Sequence, residues 1–147
     1  MIGADEMTPK DEHEVVVLRW FTSLMRQDLD AFADLLAEDA VQEMPFGKLL
    51  EVAGSDTEWA GKDGIISYFR KAIPGRRIHI FIIKEFHRTA DPEVIIVEAH
   101  CRLDVVAVGK VCDKNYVMLD KLRDGKSAVF REDYIPRVLS EVFGRNS

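Results

Sequence analysis

Apolar residues recur at helical spacing over residues 11–27, where Val17, Leu18, Phe21, Leu24 and Met25 form one stripe. Thr8-Pro9 ahead of it reads as an N-cap followed by proline at the first helical position. Asp11 and Glu12 then stand near the positive end of the helix dipole. Asp28 or Asp30 can cap a second, shorter helix carrying Phe32, Leu35 and Leu36. A third helix is predicted to start near residues 61–63, to turn Ile65, Tyr68, Phe69 and Ala72 inward, and to stop before Pro74-Gly75. Residues 41–59, with Pro45, Gly47 and Gly54, predict a short strand at 41–44 and then a loop able to cover a site.

From Arg77 the period changes. Residues 78–86, 94–108, 112–123 and 127–134 are strand-like, rich in Val, Ile, Phe and Leu. Thr89-Ala90-Asp91-Pro92, Gly109-Lys110 and Asp124-Gly125 separate them, and Asp124-Gly125 is a strong two-residue hairpin signal. Residues 136–143 can add a closing helical turn. Helices followed by an antiparallel meander predict an α+β domain in which a curved sheet folds over the helices. No repeat or linker interrupts the chain, so residues 1–147 are read as a single domain.

Composition narrows the function. Twenty Lys+Arg against 26 Asp+Glu give a net charge of −6, which argues against a nucleic-acid backbone as partner. No apolar run approaches the roughly 20 residues of a membrane span, and the acidic start Met1-Ile-Gly-Ala-Asp-Glu does not resemble a signal peptide. Two cysteines without Cys-x-x-Cys spacing read as reduced thiols, so a cytoplasmic location is expected. The four histidines show no metal-ligand spacing, and no metal site is predicted. The charged stretches at residues 10–14 and 70–77 read as solvated surface.

Candidate chemistry lies on the strands. Glu98, His100, Arg102 and Asp104 share one face, and Val97, Ala99, Cys101, Leu103 and Val105 share the other. Two-residue turns at Gly109-Lys110 and Asp124-Gly125 would set Arg102 opposite Val117 and Val117 opposite Glu132. Arg102 and Glu132 would then project from one face, about 10 Å apart at Cα. The expected constellation is Asp104–Arg102–Glu132, two carboxylates held by one guanidinium fork, able to supply an acid and a base. One bulge in either strand would place Asp133 on that face instead. The plainer alternative is that Glu98 to Asp104 form the solvated face of a half-buried strand. His100 could hydrogen-bond a ligand, and Trp59 is a candidate lid. Trp20 and Tyr68 read as core, and Phe46 as a further apolar wall residue.

Three stretches carry a resemblance: Ala37-Glu38-Asp39-Ala40-Val41-Gln42-Glu43-Met44-Pro45, Arg102-Leu103-Asp104-Val105, and Asp124-Gly125-Lys126 running into Phe130-Arg131-Glu132-Asp133-Tyr134. They resemble the SnoaL-like, nuclear-transport-factor-2-like superfamily, and within it the limonene-1,2-epoxide hydrolase branch. That resemblance implies a cone-shaped α+β fold, a homodimer, and a deep site for a small apolar molecule with no cofactor. It also implies epoxide opening, with Asp104 as acid, Arg102 as bridge and Glu132 as base. Val41 and Glu43 stand where that branch has its water-holding Tyr and Asn, and Glu43 could replace one of those contacts. In the ketosteroid-isomerase branch the base aspartate corresponds to Met44 and the tyrosine to Trp20. Asp120 matches that branch's second aspartate but falls on the face opposite Arg102. An isomerase or polyketide-cyclase-like enzyme, and a non-catalytic binding module, are the competing classes.

Overall fold

A computed structural model of the chain describes residues 2–3, 7–43, 58–106 and 109–134. Helix α1 (Glu12–Met25) is capped by Asp11, whose side chain accepts from the Glu14 amide at 3.0 Å. The expected cap at Thr8 is therefore displaced by three residues, because Asp11 offers a carboxylate to the first free amides. Helix α2 (Leu29–Asp34) uses Asp28 in the same way, and α3 (Lys62–Ala72) runs into a short 3-10 turn at Ile73–Gly75. The strands are β1 (Ile2–Gly3), β2 (Leu36–Glu43), β3 (Glu58–Ala60), β4 (Arg76–Arg88), β5 (Val94–Val105), β6 (Lys110–Arg123) and β7 (Lys126–Tyr134). They form one sheet in the order β1-β4-β5-β6-β7-β2-β3, antiparallel except for the β2–β7 pair. Most of the loop expected after β2, Phe46 and the closing turn at 136–143 lie outside the described residues.

The helices cover one face of this sheet, and the core is the contact between them. Trp20 lies against Phe21, Phe32 and Phe130 with ring centroids 4.9, 5.6 and 5.2 Å apart. The period-two row Val97, Ala99, Cys101, Leu103 and Val105 is buried beneath them, as its apolar character requires. The opposite row, Glu98, His100, Arg102 and Asp104, is the outer face.

Two details of the meander decide which residues meet. The Asp124-Gly125 turn is the expected two-residue hairpin, with φ of 53° and 75° at its two positions. The first turn is longer than expected: Val105 pairs with Lys110, so Arg102 lies opposite Asp113 rather than Val117. That slide moves β6 by four residues and keeps the faces. In the second hairpin Leu122 pairs with Ser127 and Lys121 with Val129, so Ala128 is an extra residue in β7. This bulge turns the rest of β7 over: Val117 faces Asp133, and Glu132 faces Met118.

Candidate functional site

The expected triad is not assembled. Arg102 is exposed on the outer face, and Asp104 beside it accepts a hydrogen bond from His79 Nε2 at 2.9 Å. Glu132 lies on the inner face, on the far side of the sheet. His100 is also outside, bonded to Asn115 Oδ1 at 2.9 Å and 3.2 Å from Asp113. Val117 is half-exposed there, and Glu43 faces Arg131 at 4.0 Å. Of the residues expected in the site, Glu132 and Trp59 are on the helix-covered side, where Asp120, Trp20 and Tyr68 also lie. The register puts Glu98, His100, Arg102 and Asp104 together on the outer face.

What the inner face brings to Glu132 is a different set of groups. With the bulge in place, β6 turns Cys112, Lys114, Tyr116, Met118, Asp120 and Leu122 inward. Lys114 Nζ lies 3.5 Å from Glu132 Oε2, each side chain only 13 % exposed, and 5.0 Å from the centre of the Tyr116 ring. Burial works against the Lys114 cation, but Glu132 outweighs it and the ammonium is held more firmly than usual. Burial also raises the Tyr116 hydroxyl well above its ordinary value and the Cys101 thiol to about 11, with Cys112 raised for the same reason. These groups stay neutral at physiological pH and are poor nucleophiles. Glu132 and Lys114 are the charged pair of this patch.

Arg76 completes it from β4. Its backbone carbonyl accepts from Gln27 Nε2 at 3.2 Å, which ties it to the end of α1 where Gln27 takes a left-handed φ of 58°. Its Nη2 donates to the Tyr68 hydroxyl of α3 at 3.4 Å, and the Tyr68 ring lies over Trp59 of β3 at 4.4 Å. Burial disfavours the Arg76 cation; Tyr68 and then Glu132 restore it, so its pKa lies above the ordinary guanidinium value. Residues 70–77 are thus not uniformly solvated surface. Nor are residues 10–14: Glu14 is buried, 3.0 Å from Arg88, which also holds Asp11.

Deeper on the same face lies Asp120, fully buried and paired across the strands with Phe130 and Ile95. Ser127 Oγ donates to its Oδ1 at 2.7 Å, while Oδ2 has no hydrogen-bond partner among the described residues. Burial lifts its carboxyl to about 7, with Ser127 pulling the other way. Trp20 Nε1 and Gln42 Oε1, both buried next to Phe130, likewise lack a partner among the described residues. Ser127→Ala is expected to push the Asp120 pKa above 7 and to cost about 1–2 kcal/mol in acid, read from denaturant melts at pH 4. A downward shift of that pKa would contradict the arrangement.

The signal for Lys114 and Asp120 was present in the sequence as charged residues between Cys112, Tyr116, Met118 and Leu122 in the even-numbered row of β6. Another convergence was not legible there. Glu85, His87 and Glu98 meet on the outer face, their ligand-type atoms within 4.8 Å of one another, because β4 and β5 pair Glu85 with Glu98. A 2.8 Å bond to Glu98 raises the His87 pKa.

The SnoaL-like domain model matches residues 17–130, from within α1 through the sheet as far as Phe130 of β7. The chain belongs to the SnoaL-like domain family. The uncharacterized protein YesE of Bacillus subtilis (strain 168) is 28 % identical to this SnoaL-like chain over 128 residues, 86 % of this chain and 83 % of YesE. A candidate isomerase from Bacillus subtilis superposes with a TM-score of 0.81 at 24 % identity, covering 94 % of this chain and 96 % of that one. A protein of ketosteroid isomerase-like fold from Catenulispora acidiphila, in complex with trimethylamine, superposes at 0.71 with 13 % identity, covering 93 % and 95 %. At these identities the structures show a shared fold. Among the described residues no helix is long and apolar enough to cross a membrane.

Proposed function

We propose that this SnoaL-like protein is an enzyme of the isomerase or cyclase class that moves a proton at a carbon next to a carbonyl. The observation that carries the reading is the half-buried Glu132–Lys114 pair on the inner face. A carboxylate held at the edge of an apolar region is suited to take a proton from an activated C–H, and a fixed ammonium beside it can stabilise the enolate oxygen that forms. No group from outside the chain is needed for that step. The protein of ketosteroid isomerase-like fold that holds trimethylamine supports a small molecule as the ligand. Trp59, Tyr68 and Tyr116 supply apolar surface beside the charges. A homodimer through the outer face, where Ile80, Val111 and Val117 are exposed, belongs to the same proposal.

Epoxide opening would require Arg102 and Asp104 beside Glu132, and the register sets them on opposite faces. The two chemistries differ in what they take from water. A panel of β,γ-unsaturated ketones, cyclic 1,3-diketones and small epoxides, incubated in deuterated and oxygen-18 water, separates them. Enzyme-dependent deuterium entry at carbon without solvent oxygen in the product is the expected result. Oxygen-18 entering an epoxide-derived diol, with no exchange at carbon, would overturn the proposal.

A further inference from the structure

Among the described residues, the charges around Arg76 do not balance. Arg76 and Lys114 are cations there, and Glu132 is the carboxylate facing them. Lys114 has Glu132 at 3.5 Å, whereas no carboxylate of a described residue lies within ion-pair distance of Arg76. Among the described residues its side-chain hydrogen bond goes to the Tyr68 hydroxyl, at a long 3.4 Å. Buried or half-buried cations are normally paired, because taking a guanidinium out of water costs several kcal/mol unless an anion or a full set of acceptors replaces the solvent. With one weak bond among the described residues, the Arg76 guanidinium has further donors to offer, and their fork matches a carboxylate. The remainder of the molecule makes the imbalance more notable, since the whole chain carries a net charge of −6.

The surroundings of Arg76 add shape to this chemistry. Its main chain is fixed from α1 by Gln27 and its side chain from α3 by Tyr68, so the fork is held rather than free to swing into solvent. Tyr68 in turn lies on Trp59, two rings tilted by 36° and both partly exposed. A flat apolar body could lie along these rings.

We propose that Arg76 is the recognition residue for an anionic ligand: it grips a carboxylate of a small, flat, largely apolar acid that lies along Tyr68 and Trp59. This rests on the proton-transfer reading only in naming the same site, with the reacting carbon directed toward Glu132. Arg76 here positions the molecule and takes no proton.

The test compares 2-naphthoate with its neutral isostere 2-naphthamide, binding being followed by calorimetry and by quenching of tryptophan fluorescence. The wild-type protein is expected to bind the acid at least 10-fold more tightly than the amide. Arg76→Gln should remove that preference, Arg76→Lys should restore part of it, and Tyr68→Phe should weaken the acid about 3–10-fold, as loss of one orienting contact. Circular dichroism melts establish that each variant is folded, and the conservative Arg76→Lys keeps the test open if the Gln variant is not. Equal binding of acid and amide, binding of neither, or a preference that survives in Arg76→Gln would each overturn the assignment. Glu132→Gln separates this from the proton-transfer reading: it should abolish exchange at carbon while leaving naphthoate binding as tight as before or tighter. Loss of the Arg76-dependent preference with exchange intact would sink the anion site alone; loss of exchange with the preference intact would sink the catalytic reading alone.

Discussion

Glu132→Gln is expected to lower the rate of deuterium exchange at an activated C–H by about 10³-fold while the protein stays folded. The size follows from what is removed: a positioned general base contributes roughly 10²–10⁴-fold. The amide keeps the shape of the side chain and one oxygen for Lys114, so the substitution deletes basicity with little change in packing. KM should change far less than kcat, because the carboxylate acts on the proton in the transition state more than on the bound ground state. Exchange followed by proton NMR in deuterated buffer, with urea melts on the same samples, checks both halves. An exchange rate within a few-fold of wild type would remove Glu132 from the mechanism.

The second large effect concerns stability. Asp120 is buried with a folded-state pKa of about 7 against an ordinary value of 3.8. Below about pH 4 both folded and unfolded chains carry the proton, and Asp120 contributes no pH dependence. Between about 4 and 7 the unfolded chain releases the proton while the folded chain keeps it, so folding stability falls as pH rises. Above 7 the loss is complete, about three units at roughly 1.4 kcal/mol each, or about 4 kcal/mol. Asp120→Asn has no carboxyl to titrate and can still accept from Ser127. It should therefore lack this decline and be more stable than wild type at pH 8, by up to about 4 kcal/mol relative to their difference at pH 3.5. Parallel stability curves for the two proteins across that range would show that Asp120 is not held in its neutral form by the fold.

The fold was legible because its determinants are local. The stripe of Val17, Leu18, Phe21 and Leu24, the alternation through Val97–Val105 and the Asp124-Gly125 turn each specify their element from a few neighbouring residues, and the structure follows all three. The site was less legible because it depends on register, which sums the errors of two turns and a bulge. Gly109-Lys110 gave no sign that the turn begins at Val106. Ala128 is an ordinary strand residue, yet its insertion turns Glu132 from the outer face to the inner one. The apolar row of β5 fixed which face would be covered, and the polar row beside it was accordingly the solvated one. Lys114 and Asp120 were readable as charged residues in the β6 row that also carries Cys112, Tyr116 and Met118. Arg76, one residue after a glycine and next to Arg77, gave no such cue; its burial comes from Tyr68 and Gln27, which are remote in sequence.

The two faces of the sheet make opposite claims on the chemistry, and one measurement separates them. It is the exchange rate of the double variant Arg102→Gln/Asp104→Asn, assayed beside wild type with the substrate that exchanges fastest. Both residues lie on the outer face, away from Glu132 and Lys114. If catalysis belongs to the inner face, the double variant retains its rate to within about two-fold, since substitutions on the far side of the sheet leave the site's geometry in place. A loss of 100-fold or more, in a protein that still folds, would contradict the inner-face site and return the chemistry to Arg102 and Asp104.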